Sequence, residues 1–95
     1  MIKSFAGRTT GDIYDGTDSK AARKIDKRVW PIVTRKLDVL NAANSLLDLR
    51  SPGNQLEKLK GDWVNYWRIR VNDQYRVLFQ FENGTAMNVR CMDIH

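Results

Sequence analysis

Arg68, Arg70, Arg76 and Arg90 carry the clearest chemical potential in this chain. A guanidinium is planar, presents several N–H donors in a fixed fork and stays charged at physiological pH, so several on one surface suit bidentate capture of phosphate. Whether they share a surface depends on how the flanking segments pair. Residues 66–71 and 75–81 each alternate apolar with polar side chains around Asn72-Asp73-Gln74, the pattern of a β-hairpin. Alternation puts Trp67, Ile69 and Val71 on one face and Tyr66, Arg68 and Arg70 on the other.

Register follows from the same pattern. A three-residue loop at 72–74 pairs Val71 with Tyr75, Ile69 with Val77 and Trp67 with Phe79, so the bulky apolar groups coincide. A slip of one residue would set Ile69 against Arg76 and drive a charge into the core. Applied to the next hairpin, with Glu82-Asn83-Gly84 as its loop, this logic sets Phe79 opposite Met87, Val77 opposite Val89 and Tyr75 opposite Cys91. Arg70, Arg76 and Arg90 then form one row across three strands, with Arg68 two residues along. Like charges directly opposite one another are destabilising. One reading is a solvated basic face whose guanidinium groups splay apart; the other, favoured by the use of arginine at all four positions, is a phosphate site.

The elements that must hold this face belong to a small domain. Ninety-five residues with 42% hydrophobic and 28% charged content make one soluble globular domain, residues 1–95, with a single core. The net charge of +5 favours polyanionic partners over acidic protein substrates. The lone cysteine, Cys91, excludes an internal disulfide and a multi-cysteine metal centre, and its register makes it a buried, inert thiol. A single histidine, His95, excludes a zinc site built on several histidines, and nothing in the chain calls for a cofactor. No apolar run suits a membrane span and no secretory leader is evident, so the expected setting is the reducing cytoplasm, away from membranes.

In chain order, residues 2–5 read as a short opening strand, and residues 7–20 as a turn-rich stretch with at most one helical turn near Asp12 to Tyr14. Lys20, Arg23, Lys24, Lys27 and Arg28 form a basic cluster, either a solvated face or a second polyanion contact. The main helix is expected over about residues 26–43, because Val29, Val33, Leu37, Leu40 and Ala43 recur at helical spacing. Asp26 suits its N-cap and Pro31 its opening turn. A short turn at 45–49 and the breaker Ser51-Pro52-Gly53-Asn54 follow. Residues 55–61 then form a polar lead-in to the hairpin, with Leu56 and Leu59 as anchors. Trp63 fits either the core or a partner surface, and residues 86–91 resume the strand pattern.

With these landmarks in place the chain resembles the HigB branch of the RelE/ParE toxin superfamily of bacterial type II toxin–antitoxin systems. The likeness covers nearly the whole chain. It rests on the order and spacing of Arg35-Lys36-Leu37-Asp38-Val39-Leu40-Asn41-Ala42-Ala43, Asp48-Leu49-Arg50-Ser51-Pro52-Gly53-Asn54, Leu56-Glu57-Lys58-Leu59-Lys60-Gly61, Ile69-Arg70-Val71-Asn72-Asp73-Gln74-Tyr75-Arg76 and the terminal Asp93-Ile94-His95. The resemblance implies an α+β fold of order β-α-α-β-β-β, a small antiparallel sheet with helices on one face. It also implies cleavage of mRNA in the ribosomal A site, and neutralisation by a helix-turn-helix antitoxin of the HigA type. Operator DNA would be bound only through the toxin–antitoxin complex.

Metal-independent RNA cleavage needs a base for the 2′-hydroxyl, a cation for the transition-state phosphorane and an acid for the leaving 5′-oxygen. On the family pattern Arg76 is the electrostatic element, assisted by Arg68 and Arg70, with Arg90 and Lys58 as further phosphate contacts. His95 carries the only side-chain type whose unperturbed titration lies near neutrality and is the natural acid or base, with Asp93 to orient it; Glu57 or Lys60 takes the remaining proton transfer. Two departures stand out: Ile94 replaces a family tyrosine, and Glu57 a histidine of some members, which implies a slower nuclease. Strict alternation also puts Asp93 and His95 on the core face, so the tail must bulge, twist or leave the strand to reach Arg76. Two other classes compete: a ParE-like toxin that inhibits DNA gyrase by binding it, and a nucleic-acid-binding module without toxicity.

Overall fold

The structure, a computed structural model, describes residues 1–94. A four-stranded antiparallel sheet runs in the order β1 (Glu57–Lys58), β2 (Trp67–Arg70), β3 (Tyr75–Glu82), β4 (Thr85–Asp93). Two helices, α1 (Thr9–Tyr14) and α2 (Trp30–Ala42), precede the sheet in the chain and contribute to its core. The opening strand is reduced to two parallel bridges to β4, Ile2 with Ala86 and Phe5 with Val89. This is the expected α+β architecture, with α1 longer than the single turn anticipated near Asp12.

The apolar stripe of α2 does what its spacing predicts. Val33, Leu37 and Leu40 are fully buried and share one cluster with Ile69, Val77, Phe79 and Val89. Its start differs from expectation. Asp26 caps a preceding 3₁₀ turn, Lys27–Val29, its carboxylate accepting from the Arg28 N–H at 3.0 Å. The α-helix begins only at Trp30. Pro31 explains the delay, since in a continuous α-helix its ring would collide with the carbonyl four residues back, at Lys27. The tighter turn avoids that clash. A further 3₁₀ turn, Leu46–Leu49, carries a reciprocal Ser45/Asp48 capping box and accounts for the short turn expected there.

The first hairpin has the register read from its apolar pattern: Trp67 faces Phe79, Ile69 faces Val77 and Arg70 faces Arg76. The second does not. Its loop is the two-residue Asn83-Gly84, both at positive φ (53° and 76°), which is the geometry an Asn-Gly type I′ turn demands. Glu82 therefore pairs with Thr85, and Ala86 rather than Met87 enters the core. Continued without interruption, this register would place Arg90 opposite Val77, inside. A bulge between Leu78 and Gln80 on β3 and the facing stretch of β4 prevents it, with Asn88 at φ 52° as the extra residue. Beyond the bulge Leu78 faces Arg90, Val77 faces Cys91 and Arg76 faces Met92. Val89 and Cys91 return to the interior.

Asn88 tolerates this left-handed conformation better than most side chains, and its amide donates to Gln80 Oε1 at 2.5 Å while its N–H donates to Ser4 Oγ at 2.9 Å. Asn88→Val is expected to lose about 1–2 kcal/mol or more in urea unfolding, whereas Asn88→Gly stays closer to the parent. Cys91 reports on the register directly. Burial pushes its thiol up to about 12 from an ordinary value of 9.0. Thiolate is therefore depleted roughly 10³-fold in the folded chain, and a thiol reagent at pH 8 should label Cys91 only after denaturation. Because the folded-state value is raised, the unfolded chain releases its proton first. Stability falls as pH rises from about 9 towards 12, measurable as a drop in melting temperature absent from Cys91→Ala.

Candidate active site

Glu57, Arg68, Leu78 and Arg90 occupy successive positions across all four strands, and Arg70, Arg76 and Met92 fill the next row. Side chains at paired positions share a face, so these residues line the side of the sheet opposite the Ile69–Val77–Phe79 core. Leu78, set between Arg68 and Arg90, is only 4% exposed, the mark of a covered patch.

Arg70 and Arg76 stand directly opposite each other, a like-charge pair that each member answers differently. Arg70 Nη2 is 2.5 Å from Asp73 Oδ1. Arg68, in turn, binds Glu57 Oε1 at 3.1 Å across β1 and β2. Arg76 Nη1 donates instead to the backbone carbonyl of Asn72 and, at 3.0 Å, to that of Tyr75. Among the described residues it forms no ion pair. Carbonyl dipoles fix the guanidinium without cancelling its charge. Burial, followed by the charges of Arg68 and Arg70, pulls the Arg76 pKa below the usual arginine value. The charges of Asp73 and Glu57 oppose this shift, an incoming anion would oppose it further, and arginine remains protonated at neutrality.

The carboxylates on the neighbouring arginines are poorly buried. The Glu57 side chain is 57% exposed and that of Asp73 fully so, while Arg68 and Arg70 are 28% and 31% exposed. Exposed pairs contribute little to stability and are readily exchanged for a better-placed phosphate. Hydrogen bonding and charge from Arg70 hold the Asp73 carboxyl below the ordinary range.

Arg90 is not in the expected Arg70–Arg76 row, because the two-residue loop and the Asn88 bulge each move it one position along, from Arg76 to Leu78. Its guanidinium lies 5.2 Å from the Trp63 ring centre, and Trp63 meets Tyr66 edge-on at 4.8 Å. Arg90 Nε is buried without a hydrogen-bond partner among the described residues. Trp63 thus serves this face rather than the core. Lys58 is likewise not brought to the arginines: it pairs with Trp67 on the reverse face, its ammonium 5.7 Å from that ring. Lys60 is exposed, just before the 3₁₀ turn Gly61–Trp63.

Asp93 ends β4 opposite Tyr75, in the core-side row as alternation requires, but beyond the sheet's cover and exposed. The turn reaches it. Gln74 Nε2 donates to Asp93 Oδ2 at 2.9 Å, and the Ile94 N–H donates to the Gln74 carbonyl at 2.9 Å. His95 lies outside the described residues. The turn 72–74, read from sequence only as a strand connector, therefore contacts Arg70, Arg76 and the acidic tail together. Its available signal was an Asn-Asp-Gln string with Asp73 three residues after Arg70. Lys36 also escaped notice; its ammonium donates to Asn54 Oδ1 at 2.7 Å, and Asn54, 3% exposed, donates to the Leu49 carbonyl at 3.2 Å. Burial, then the charges of Arg35 and Arg70, lowers the Lys36 pKa. A concavity of about 380 Å³ lies off that face, lined by Lys58, Trp67, Phe81 and Met87 among others, and by none of the arginines.

Comparison with known proteins identifies the family and the fold. The family described as HigB-like, a RelE-like toxin of type II toxin-antitoxin system HigB, matches residues 3–95. The chain is 43% identical over 89 residues to Toxin HigB-1 of Vibrio cholerae, covering 93% of this chain and 92% of that one. It is 30% identical over 97 residues to Endoribonuclease HigB of Proteus vulgaris, covering the whole of both. The YoeB–YefM complex from Staphylococcus aureus shares the fold at a TM-score of 0.61 and 14% identity, covering 100% of this chain and 98% of that one. A YoeB/ParE toxin from Agrobacterium tumefaciens does so at 0.60 and 16%, covering 98% and 99%. Matched along almost its full length, the chain belongs to the HigB-like family of RelE-like toxins from type II toxin–antitoxin systems.

Proposed function

We propose that residues 1–95 act as one toxin domain that cleaves mRNA on the ribosome, with Arg76 as the cation opposite the scissile phosphate. The observation that carries this reading is the charge state of the arginine face: Arg68 and Arg70 have carboxylate partners, whereas Arg76 is held by carbonyls alone. A relative of matching length bears the name Endoribonuclease HigB. In the reaction the 2′-oxygen attacks the adjacent phosphorus, its proton passing to a base, and the 5′-oxygen leaves with a proton from an acid. A cyclic phosphate and a free 5′-hydroxyl result. Arg76 meets the charge that develops on the pentavalent phosphorus, and Arg68 and Arg70 release their exposed carboxylates to hold flanking phosphates.

Glu57 shares the Arg76 face and is close enough for its charge to act on Arg76, which favours it over the exposed Lys60 as proton acceptor. His95, oriented by Asp93, supplies the proton to the leaving oxygen. Arg90, held by Trp63, and Lys58, on the reverse face, take at most a peripheral part in holding RNA. The face is a surface, not a cleft, so the substrate must be ordered by another body; the ribosomal A site does this, and free RNA is cut poorly. As a type II family member the chain has an antitoxin partner. We assign that partner to the helix-turn-helix HigA type, with operator DNA bound only through the complex, and the site of action to the cytoplasm. Among the described residues no helix is long and apolar enough to cross a membrane.

Arg76→Ala is expected to lower cleavage of ribosome-bound mRNA roughly 10²–10³-fold with the melting temperature little changed. Arg68→Ala should cost less. Deleting His95 should cost about 10²–10⁴-fold. Growth arrest that survives both Arg76→Ala and the His95 deletion would defeat the nuclease assignment, and inhibition of gyrase supercoiling by the purified chain would then support the binding-toxin class.

A further inference from the structure

We infer that Asn72 is a positioning residue for Arg76, acting through the conformation of the turn and not by touching RNA. The inference rests on Arg76 being the transition-state cation. Asn72 Oδ1 accepts two backbone hydrogen bonds, from Gln74 at 2.9 Å and from Tyr75 at 2.8 Å. That side chain closes the turn on itself as an Asx turn, in addition to the backbone bonds of the hairpin. Closure presents the Asn72 and Tyr75 carbonyls to the same nitrogen, Arg76 Nη1. The Tyr75 carbonyl also receives the Val71 N–H at 3.1 Å, so the hairpin end and the guanidinium share one anchor. Among the described residues no carboxylate performs this task, and one that did would weaken the charge that the reaction uses.

Without the Asn72 acceptor two backbone donors lose their partner and the carbonyls are free to turn away. The guanidinium then has neither an ion pair nor an anchor among the described residues. An unanchored arginine still attracts phosphate, so binding survives while alignment is lost. Misplacement of a reacting group by about 1 Å can cost as much as 10²-fold in rate.

The test compares single-turnover cleavage of mRNA on 70S ribosomes by the full chain and its Asn72 variants. Asn72→Ala should lower the rate at saturating ribosomes about 10-fold to 10²-fold while the half-saturating concentration changes less than about twofold. Asn72→Ser, whose hydroxyl can accept the same backbone bonds, should recover most of the loss. In ¹⁵N spectra the Arg76 Nε–H signal should be ordered in the parent and in Asn72→Ser, and motionally averaged in Asn72→Ala. If the alanine variant does not fold, Asn72→Gly removes the same acceptor and carries the comparison. An unchanged rate in Asn72→Ala, or a serine variant as slow as the alanine one, overturns the inference. Arg76→Ala, run alongside, separates the two levels: if it too is fully active, the nuclease reading fails, whereas an inactive Arg76→Ala beside an active Asn72→Ala sinks only the role of Asn72.

Discussion

One constraint governs this molecule: β4 must put Val89 and Cys91 into the core and Arg90 out of it after a hairpin loop of the wrong parity. The Asn-Gly loop takes two residues because its backbone twist matches the strands it joins. That choice turns every later side chain of β4 to the opposite face, and the unfavourable outcome is concrete, an arginine against Val77. The Asn88 bulge restores the facing with one extra residue. Local turn chemistry and core burial are both satisfied, and the mismatch is concentrated at a single left-handed asparagine.

The bulge also decides which arginines are neighbours. A three-residue loop with no bulge would have crowded Arg70, Arg76 and Arg90 into one row, with three like charges at adjacent positions. Moving Arg90 to the Arg68 row leaves Met92 beside Arg76 and lets Trp63 take the displaced guanidinium. The remaining opposition between Arg70 and Arg76 is met by the turn that joins their strands, which offers a carboxylate to one and carbonyls to the other. Cationic density on this face is therefore graded. Arg68 and Arg70 are screened by exposed acids, Arg90 is stacked and partly desolvated, and Arg76 is fixed by carbonyls with no ion pair among the described residues.

Legibility from sequence tracked the range of the determining interaction. The first hairpin was readable because its three-residue loop and its apolar alternation make the same demand on register. The second was misread because alternation alone, carried through Met87, favours a loop one residue longer than Asn-Gly takes. The stripe of α2 was plain in Val33, Leu37 and Leu40, while its first residue depended on a steric conflict between Pro31 and Lys27 that periodicity does not encode. Strand β1 passed for a polar lead-in, since two residues cannot display a period. Only its pairing with β2 reveals that Glu57 meets Arg68.

By itself the sequence determined the buried stripe of α2, the register of the first hairpin and the presence of a guanidinium-rich face, because these depend on periodicity and on which residues water rejects. The family pattern, too, is written in the order of short motifs. Tertiary structure alone decided that Arg76 is held by carbonyls while Arg68 and Arg70 meet carboxylates, that Lys58 points away and Trp63 towards the site, and that the 72–74 turn ties Arg70, Arg76 and Asp93 together. Those outcomes turn on the orientation of single hydrogen-bonding groups brought close by strand pairing, and spacing along a chain carries no record of where a carbonyl or a carboxylate will point.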